Sequence, residues 1–178
     1  MSAGLHVATV AAGTWAVSDS RTRLTFEVGH LHRPVTGSMA LAWGEVEVDA
    51  SGAPVRARAE IDLGSVDTGN ARRDADLRKP RFLDIDRHPV MRWSADRFTG
   101  GAGVGWTAYG VLHVRGTSTP LAVSGTPEAG PDGEGVRVRA LAVLDRTSVG
   151  IRAPRVLVGR TVEIAIDAWL TPPRQARR

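Results

Sequence analysis

Cysteine is missing from all 178 residues of the sequence. Disulfide bridges, cysteine-ligated metal centres and catalytic thiols are therefore excluded. Lysine is also nearly absent, since Lys79 stands alone beside 22 arginines, and only nine residues are aromatic. The length is that of one domain and is sufficient to bury a sizeable core.

Long apolar runs are missing as well. No stretch reaches the ~18 to 20 apolar residues that a bilayer-spanning helix needs. Between Met1 and Val17 there is no positively charged start, and Gly4, His6 and Gly13 interrupt the apolar residues. A secretory signal peptide has both features, so we expect none. The sequence predicts a cytoplasmic protein without stable membrane insertion.

The net charge of +4 comes from arginines that alternate with apolar residues and do not cluster. Arg56 and Arg58 are spaced in this way, and so are Arg137 and Arg139. This spacing is more typical of the solvated face of a sheet than of a phosphate-binding stripe. No nucleic-acid partner is expected. The basic residues in 174–178 are typical of a frayed terminus.

Alternation of apolar and polar residues with a period of two is the dominant pattern. In 55–63, five apolar residues alternate with four charged ones. Successive side chains of a strand point to opposite faces, so each such run predicts a sheet with one buried side. Eight strands at regular spacing predict an antiparallel sandwich or barrel. The predicted strands are 24–30, 37–48, 55–63, 90–98, 106–115, 120–126, 136–142 and 162–168.

The apolar phase slips within the second of these strands. Met39, Leu41 and Trp43 occupy odd positions, whereas Val46 and Val48 occupy even ones. Gly44 lies at the slip, which predicts a β-bulge or a sharp bend there.

One segment breaks the alternation. Asn70 is a favoured N-cap residue, and 71–79 is predicted to be a short helix that Pro80 ends. A single helix in a β chain indicates a plug at a barrel mouth or a brace along its wall. We predict one domain at 15–171, between a flexible segment at 1–14 and a basic tail at 172–178.

Small side chains are frequent on the predicted inward faces. A solid core normally needs larger residues, because protein interiors are close-packed. An eight-stranded closed sheet is wide enough either to be filled by its own side chains or to hold one small ligand. Composition leaves both alternatives open. The small inward residues are Ala57, Ala59, Ala95, Ala108, Gly110, Ala140, Ala142 and Ala168.

Seven short motifs follow one another along the chain. They are 24–31 (LTFEVGHL), 65–69 (SVDTG), 73–78 (RDADLR), 81–84 (RFLD), 88–94 (HPVMRWS), 110–120 (GVLHVRGTSTP) and 145–150 (DRTSVG). In this order they resemble the YceI-like family of polyisoprenoid-binding proteins, and the resemblance covers about 15–170. Three departures are Arg21-Thr22-Arg23, where the family has His-Ser early in its first strand, Asp76, where the family has histidine, and Phe82-Leu83 in place of Phe-Phe.

The resemblance implies an all-β, antiparallel, eight-stranded lipocalin-like barrel with one short helix. It also implies non-enzymatic binding of a long apolar ligand, such as a polyisoprenoid, an isoprenoid quinone or a similar lipid. Carriage, storage and stress response are the expected roles, without a cofactor, and a homodimer is left open. The predicted apolar lining is Phe26, Val28, Ala59, Ile61, Trp93, Ala108, Leu112, Ala140, Ala142 and Ile164. The predicted mouth or head-group residues are His30, Arg73, Arg115 and Arg146.

Two alternatives remain from the residues themselves. His30 and His32 have metal-ligand spacing on one strand face, and His113 could approach them, which would suit an enzyme acting on a small lipid-like substrate. A structural histidine with a satisfied hydrogen bond is the favoured interpretation, and no nucleophile signature is present. The other alternative is a ligand-free interaction module with a filled barrel.

Two Arg-Asp sequences invite a structural interpretation. Arg73-Asp74 and Asp145-Arg146 are expected to form ion pairs that pin a helix or turn to the barrel. The alternative is that an arginine near the mouth, Arg73, Arg115 or Arg146, meets a polar ligand head such as a phosphate.

Overall fold

The computed structural model describes residues 10–31, 33–131, 133, 135–153 and 158–173. Within them the chain forms nine strands, one α-helix and one 3₁₀-helix. The elements are β1 (Gly13–Val17), β2 (Arg23–His30), β3 (Val35–Val48), β4 (Pro54–Asp67), α1 (Ala71–Leu77), β5 (Val90–Gly101), β6 (Gly105–Val114), β7 (Thr117–Ala129), β8 (Val136–Asp145), the 3₁₀-helix Arg146–Val149 and β9 (Val158–Thr171). All eight predicted strands are present as β2 to β9.

Strands β2 to β9 close into an antiparallel barrel. Their order is β3-β2-β9-β8-β7-β6-β5-β4, and the pairing of β3 with β4 completes the ring. Closure gives each of these strands a neighbour on both sides. The predicted fold class is confirmed.

Strand β1 was not predicted, and it occupies the same place in the barrel as β2. It pairs with the end of β3 at Gly13–Val48 and with the end of β9 at Val17–Leu170. β1 and β2 therefore form one wall strand that the segment 18–22 interrupts. Gly13 and Thr14, expected in a flexible segment, are paired strand residues. Residues 1–9 of that segment and 174–178 of the basic tail lie outside the described residues.

The outward faces carry cross-strand ion pairs, as the alternation predicts. Arg58 bonds Glu45 across the β3–β4 pair, and Arg92 Nε lies 2.9 Å from Glu60 Oε2 across the β4–β5 pair. Exposed pairs of this kind contribute ~0–1 kcal/mol each, so their chief effect is to keep these faces solvated.

The predicted bulge in β3 is confirmed, and it lies slightly earlier than Gly44. The β3–β4 register shifts between Leu41 and Trp43, where one residue of β4 faces two of β3. The bulge turns Trp43 outward, with 47% of its surface exposed, while Leu41 stays buried. The expectation that Trp43 shares the inward face with Leu41 is therefore wrong.

A packed apolar cluster lies near each end of the barrel. Trp15, Val48, Val136 and Leu170 form a buried cluster at the β1 end. At the opposite end a larger cluster includes residues from the segment after α1 and from the 3₁₀-helix, and Leu77 of α1 packs against it. Asn70 caps α1, since its Oδ1 accepts a hydrogen bond from Arg73 N at 3.0 Å, although the helix ends at Leu77 and not at Lys79.

Candidate functional site

The barrel encloses a cavity of about 570 Å³ between these two clusters. This volume lies within the ~300–1,000 Å³ typical of small-molecule pockets. Apolar side chains from every strand form most of its wall. All ten residues of the predicted apolar lining contribute to it: Phe26, Val28, Ala59, Ile61, Trp93, Ala108, Leu112, Ala140, Ala142 and Ile164.

The distribution of exposure along the inward faces shows that the interior is hollow. Small residues such as Ala108 and Ala140 are buried, while the larger Phe26 and Ile164, which line the same cavity, keep part of their surface accessible. A close-packed core would bury its large residues first. The larger side chains therefore border space that the protein leaves unfilled.

Two of the small inward residues, Gly110 and Ala95, do not line the cavity. The indole of Trp93 lies across Gly110, where an added Cβ would be 2.5 Å from Trp93 Nε1, and Nε1 donates to Leu121 O at 3.0 Å. Because Gly110 has no side chain, the indole of Trp93 can lie against it, and no cavity volume is gained there. The expectation that Gly110 helps to hollow the interior is therefore wrong.

Gly110→Ala is expected to destabilise the protein by about 1–3 kcal/mol, the usual range for overpacking. The new methyl group would also lie 2.7 Å from the backbone oxygen of Ser94, which cannot move aside as a side chain can. Denaturant unfolding monitored by tryptophan fluorescence measures the change. Gly29→Ala is the matched control, because nothing lies within 4 Å of its Cβ position. Equal stability of the two variants would contradict the proposed packing.

The cavity reaches the surface at the end that carries α1. His30 is exposed and Arg73 and Asp76 are half-buried, yet all three line the cavity. His30 ends β2, whereas Arg73 and Asp76 lie on α1. This places the predicted mouth residues His30 and Arg73 together at one opening.

Thr68 holds Arg73 in position. Arg73 donates from Nε to Thr68 Oγ1 and from Nη2 to Thr68 O, both at 2.8 Å. Thr68 in turn donates from Oγ1 to the Asp74 carboxylate at 2.5 Å. Arg73 and Asp74 are thus linked through Thr68 and do not form the expected ion pair. Three of the five Arg73 N–H groups have no partner among the described residues.

Arg146 also lines the cavity, but its donors are largely committed. The residue is 3% exposed, and its guanidinium donates to four backbone carbonyls. These are the oxygens of Gly159 at 2.7 Å, Ile151 at 2.9 Å, Ala153 at 3.1 Å and Val158 at 2.9 Å. The side chain fastens the segment after the 3₁₀-helix to the start of β9. The expected ion pair with Asp145 is wrong.

Asp145 has other partners. Its Oδ1 caps the 3₁₀-helix by accepting from Thr147 N at 2.9 Å, and its Oδ2 accepts from Arg160 Nε at 2.6 Å. The hydrogen bond from Arg160, followed by those from Thr147, holds the pKa of the Asp145 carboxyl far below its ordinary value. Asp145 therefore stays ionised at neutral pH and keeps the start of the 3₁₀-helix capped.

Arg115 does not line the cavity, contrary to the expectation of a head-group role. Its backbone φ is +54°, and its guanidinium donates from Nη2 to Pro80 O at 2.6 Å and from Nη1 to Val149 O at 3.3 Å. It ties the turn after β6 to the segments around it, which is a structural role.

The histidines do not form a metal site in the part of the chain that the structure describes, where no cluster of three or more metal-ligating residues occurs. His113 points outward and pairs with Ser118 Oγ through Nδ1 at 2.7 Å. His32, the proposed partner of His30, lies outside the described residues.

Sequence reasoning missed several wall residues. Thr68, Asp76 and Leu77 contribute from the β4–α1 junction, and Phe98 and Val123 contribute from strand faces that were predicted as strands but not as lining. The period-two pattern could have identified Val123, which shares the face of Leu121. The positions on α1 carry no such signal, because its direction depends on the closed barrel.

Within the described residues, none of the helices is long and apolar enough to cross a membrane. The fold and cavity define a class: a closed antiparallel β-barrel around an apolar cavity that opens beside a short helix. The model of the YceI-like domain matches residues 15–170, so the chain belongs to the YceI-like family. A search of curated protein sequences finds no significant match.

Solved structures show the same fold at low sequence identity. BcnA of Burkholderia cenocepacia superposes with a TM-score of 0.78 at 16% identity, covering 86% of this chain and 98% of its own. A polyisoprenoid binding domain from Saccharophagus degradans, implicated in plant cell wall breakdown, gives 0.67 at 14% identity, with 89% and 98% coverage. The YceI protein of Campylobacter jejuni gives 0.66 at 17% identity, with 79% and 86% coverage.

Proposed function

We propose that the protein is a non-enzymatic carrier or store of a long apolar lipid, held inside the barrel. The observation that carries this proposal is the cavity of about 570 Å³, whose wall is predominantly apolar. Each buried methylene contributes about 0.8 kcal/mol, so a tail of ten methylenes gains about 8 kcal/mol without any polar contact. The name of the Saccharophagus degradans domain supports a polyisoprenoid or a similar amphiphile as the ligand class.

The head of this lipid would lie at the mouth, beside Arg73. Arg73 is held by Thr68 and keeps N–H groups without a partner among the described residues, whereas Arg146 donates to backbone carbonyls. A phosphate, a hydroxyl or a quinone oxygen could accept from Arg73. Cytoplasmic location and a role in stress stay predictions, and a homodimer stays open.

Purification without detergent, followed by solvent extraction and mass spectrometry, tests the proposal. We expect an apolar lipid in stoichiometric amount, or saturable uptake of a fluorescent polyprenyl or quinone probe by protein that was purified empty. An empty protein that also takes up neither probe would refute lipid binding.

A further inference from the structure

The exposed charges are distributed unevenly between the two ends of the barrel. We define the rim as residues 31, 33 and 34 of the β2–β3 turn, the segment 71–89 and residues 150–153, which together surround the mouth. The segment 71–89 exposes Arg72, Arg78, Lys79, Arg81 and Arg87. The side chains of Asp86 and Asp76 are its exposed carboxylates among the described residues, and Asp76 forms an ion pair with Lys79. The other two parts of the rim add the exposed Arg33 and Arg152 without a carboxylate.

Two of the three parts of the rim are in contact with each other. Arg152 N donates to Arg81 O at 3.4 Å, which joins the segment after α1 to the segment after the 3₁₀-helix. By contrast, the described turns at the opposite end, 49–53 and 102–104, contain the carboxylate of Asp49 and no cation. The barrel is therefore cationic at its mouth and not at the described turns of its far end.

Apolar groups accompany the cations. Leu31 is 60% exposed at the β2–β3 turn, next to the lining residue His30. Its φ of +46° is unfavourable for a leucine, so the turn holds an apolar side chain in solvent at a conformational cost. Phe82 lines the cavity, and the guanidinium of Arg81 covers its ring at 4.8 Å. Segments that bind at membrane interfaces combine apolar groups with lysine and arginine, and the rim carries both kinds of side chain.

We propose that the rim docks on the surface of an anionic phospholipid bilayer and presents the mouth directly to the membrane. This inference rests on the proposed function, because a lipid with a long apolar tail is scarcely soluble in water and must be taken from a membrane. The cations complement the negative surface of such a bilayer. Leu31 enters the interfacial region, and the bound lipid passes between bilayer and cavity without crossing water.

Sedimentation of the full-length protein with vesicles tests the docking. The vesicles are pure phosphatidylcholine in one series and phosphatidylcholine with phosphatidylglycerol in the other. The rim variant Arg72→Gln/Arg78→Gln/Arg87→Gln is expected to bind the anionic vesicles roughly tenfold or more weakly than the wild type, because each cation near the surface contributes several-fold. Added salt is expected to weaken wild-type binding, since it screens exposed charges.

The matched control removes the same charge from the barrel wall. Arg56→Gln/Arg92→Gln/Arg97→Gln alters three exposed arginines on β4 and β5 and is expected to bind within about twofold of the wild type, because these residues lie outside the rim. Leu31→Ala is expected to lower binding to anionic vesicles without changing net charge. Circular dichroism checks that each variant is folded.

Equal binding by the rim variant and the wall variant would overturn the proposal, and so would equal binding to neutral vesicles. Tighter binding of the wild type to a DNA oligonucleotide than to anionic vesicles would identify the rim as a nucleic-acid surface and would also overturn it. Lipid binding is measured separately, by probe uptake in solution. A protein that takes up the probe but does not bind vesicles refutes the docking alone, whereas vesicle binding without probe uptake refutes the proposed function alone.

Discussion

Arg146→Ala is expected to lower the free energy of unfolding by about 3–5 kcal/mol. The substitution leaves four backbone carbonyls without their donor. Each buried unsatisfied polar group costs about 1–3 kcal/mol, and water that enters the site offsets part of this cost. Typical domains are stable by only about 5–15 kcal/mol, so this one side chain decides a large fraction of the total. Urea unfolding at neutral pH, followed by tryptophan fluorescence, measures the effect.

Two further variants separate charge from geometry. Arg146→Lys keeps the charge but offers one compact ammonium group in place of a planar fork, so it is expected to recover only part of the loss. Arg152→Ala removes an exposed arginine from the same region and is expected to change stability by less than about 0.5 kcal/mol. An Arg146→Ala protein as stable as Arg152→Ala would show that the carbonyl contacts do not hold this segment.

Ala59→Phe is expected to weaken ligand binding about 30-fold. Ala59 lines the cavity from β4 opposite Trp93, and a benzyl group there would occupy space that the ligand needs. Displacing two or three methylenes of the ligand costs about 2 kcal/mol, which corresponds to that loss of affinity. Fluorescence titration with a polyprenyl or quinone probe measures it.

The stability of the same variant tests whether the interior is hollow. A phenyl group that enters empty space costs little, whereas forcing it into a filled core costs about 1–3 kcal/mol. Ala122→Phe is the control: Ala122 is exposed on β7, so the added ring stays outside the barrel and the affinity is expected to remain within about twofold. Strong destabilisation by Ala59→Phe with unchanged probe affinity would contradict a ligand-binding interior.

Three residues of the motif at 145–150 have separate structural roles around the 3₁₀-helix. Asp145 caps the 3₁₀-helix, Arg146 collects the carbonyls of the following segment, and Gly150 ends the helix in a left-handed conformation with a φ of +75°. Each position has a separate physical requirement. The expected ion pair between Asp145 and Arg146 does not form, because adjacent residues on such a turn point in different directions.

Trp93 and Gly110 show a case in which the sequence pattern predicted empty space where the structure has a side chain. The pattern of small residues suggested empty space at Gly110, yet the indole of Trp93 fills it from the neighbouring strand. The sequence of one strand shows only that the residue at that position is small. Whether the space above that residue is empty depends on which side chain of the next strand leans across it.

The sequence by itself determined the eight barrel strands, their inward faces, the bulge near Gly44 and the cap at Asn70. These features are local, because side-chain alternation and capping depend on a few neighbouring residues. The tertiary structure alone decided the place of β1, the outward turn of Trp43, the partners of Arg73, Arg115 and Arg146, and the cationic rim. All of these depend on the closure of β3 onto β4, which brings distant residues together and sets the radius that leaves the interior unfilled.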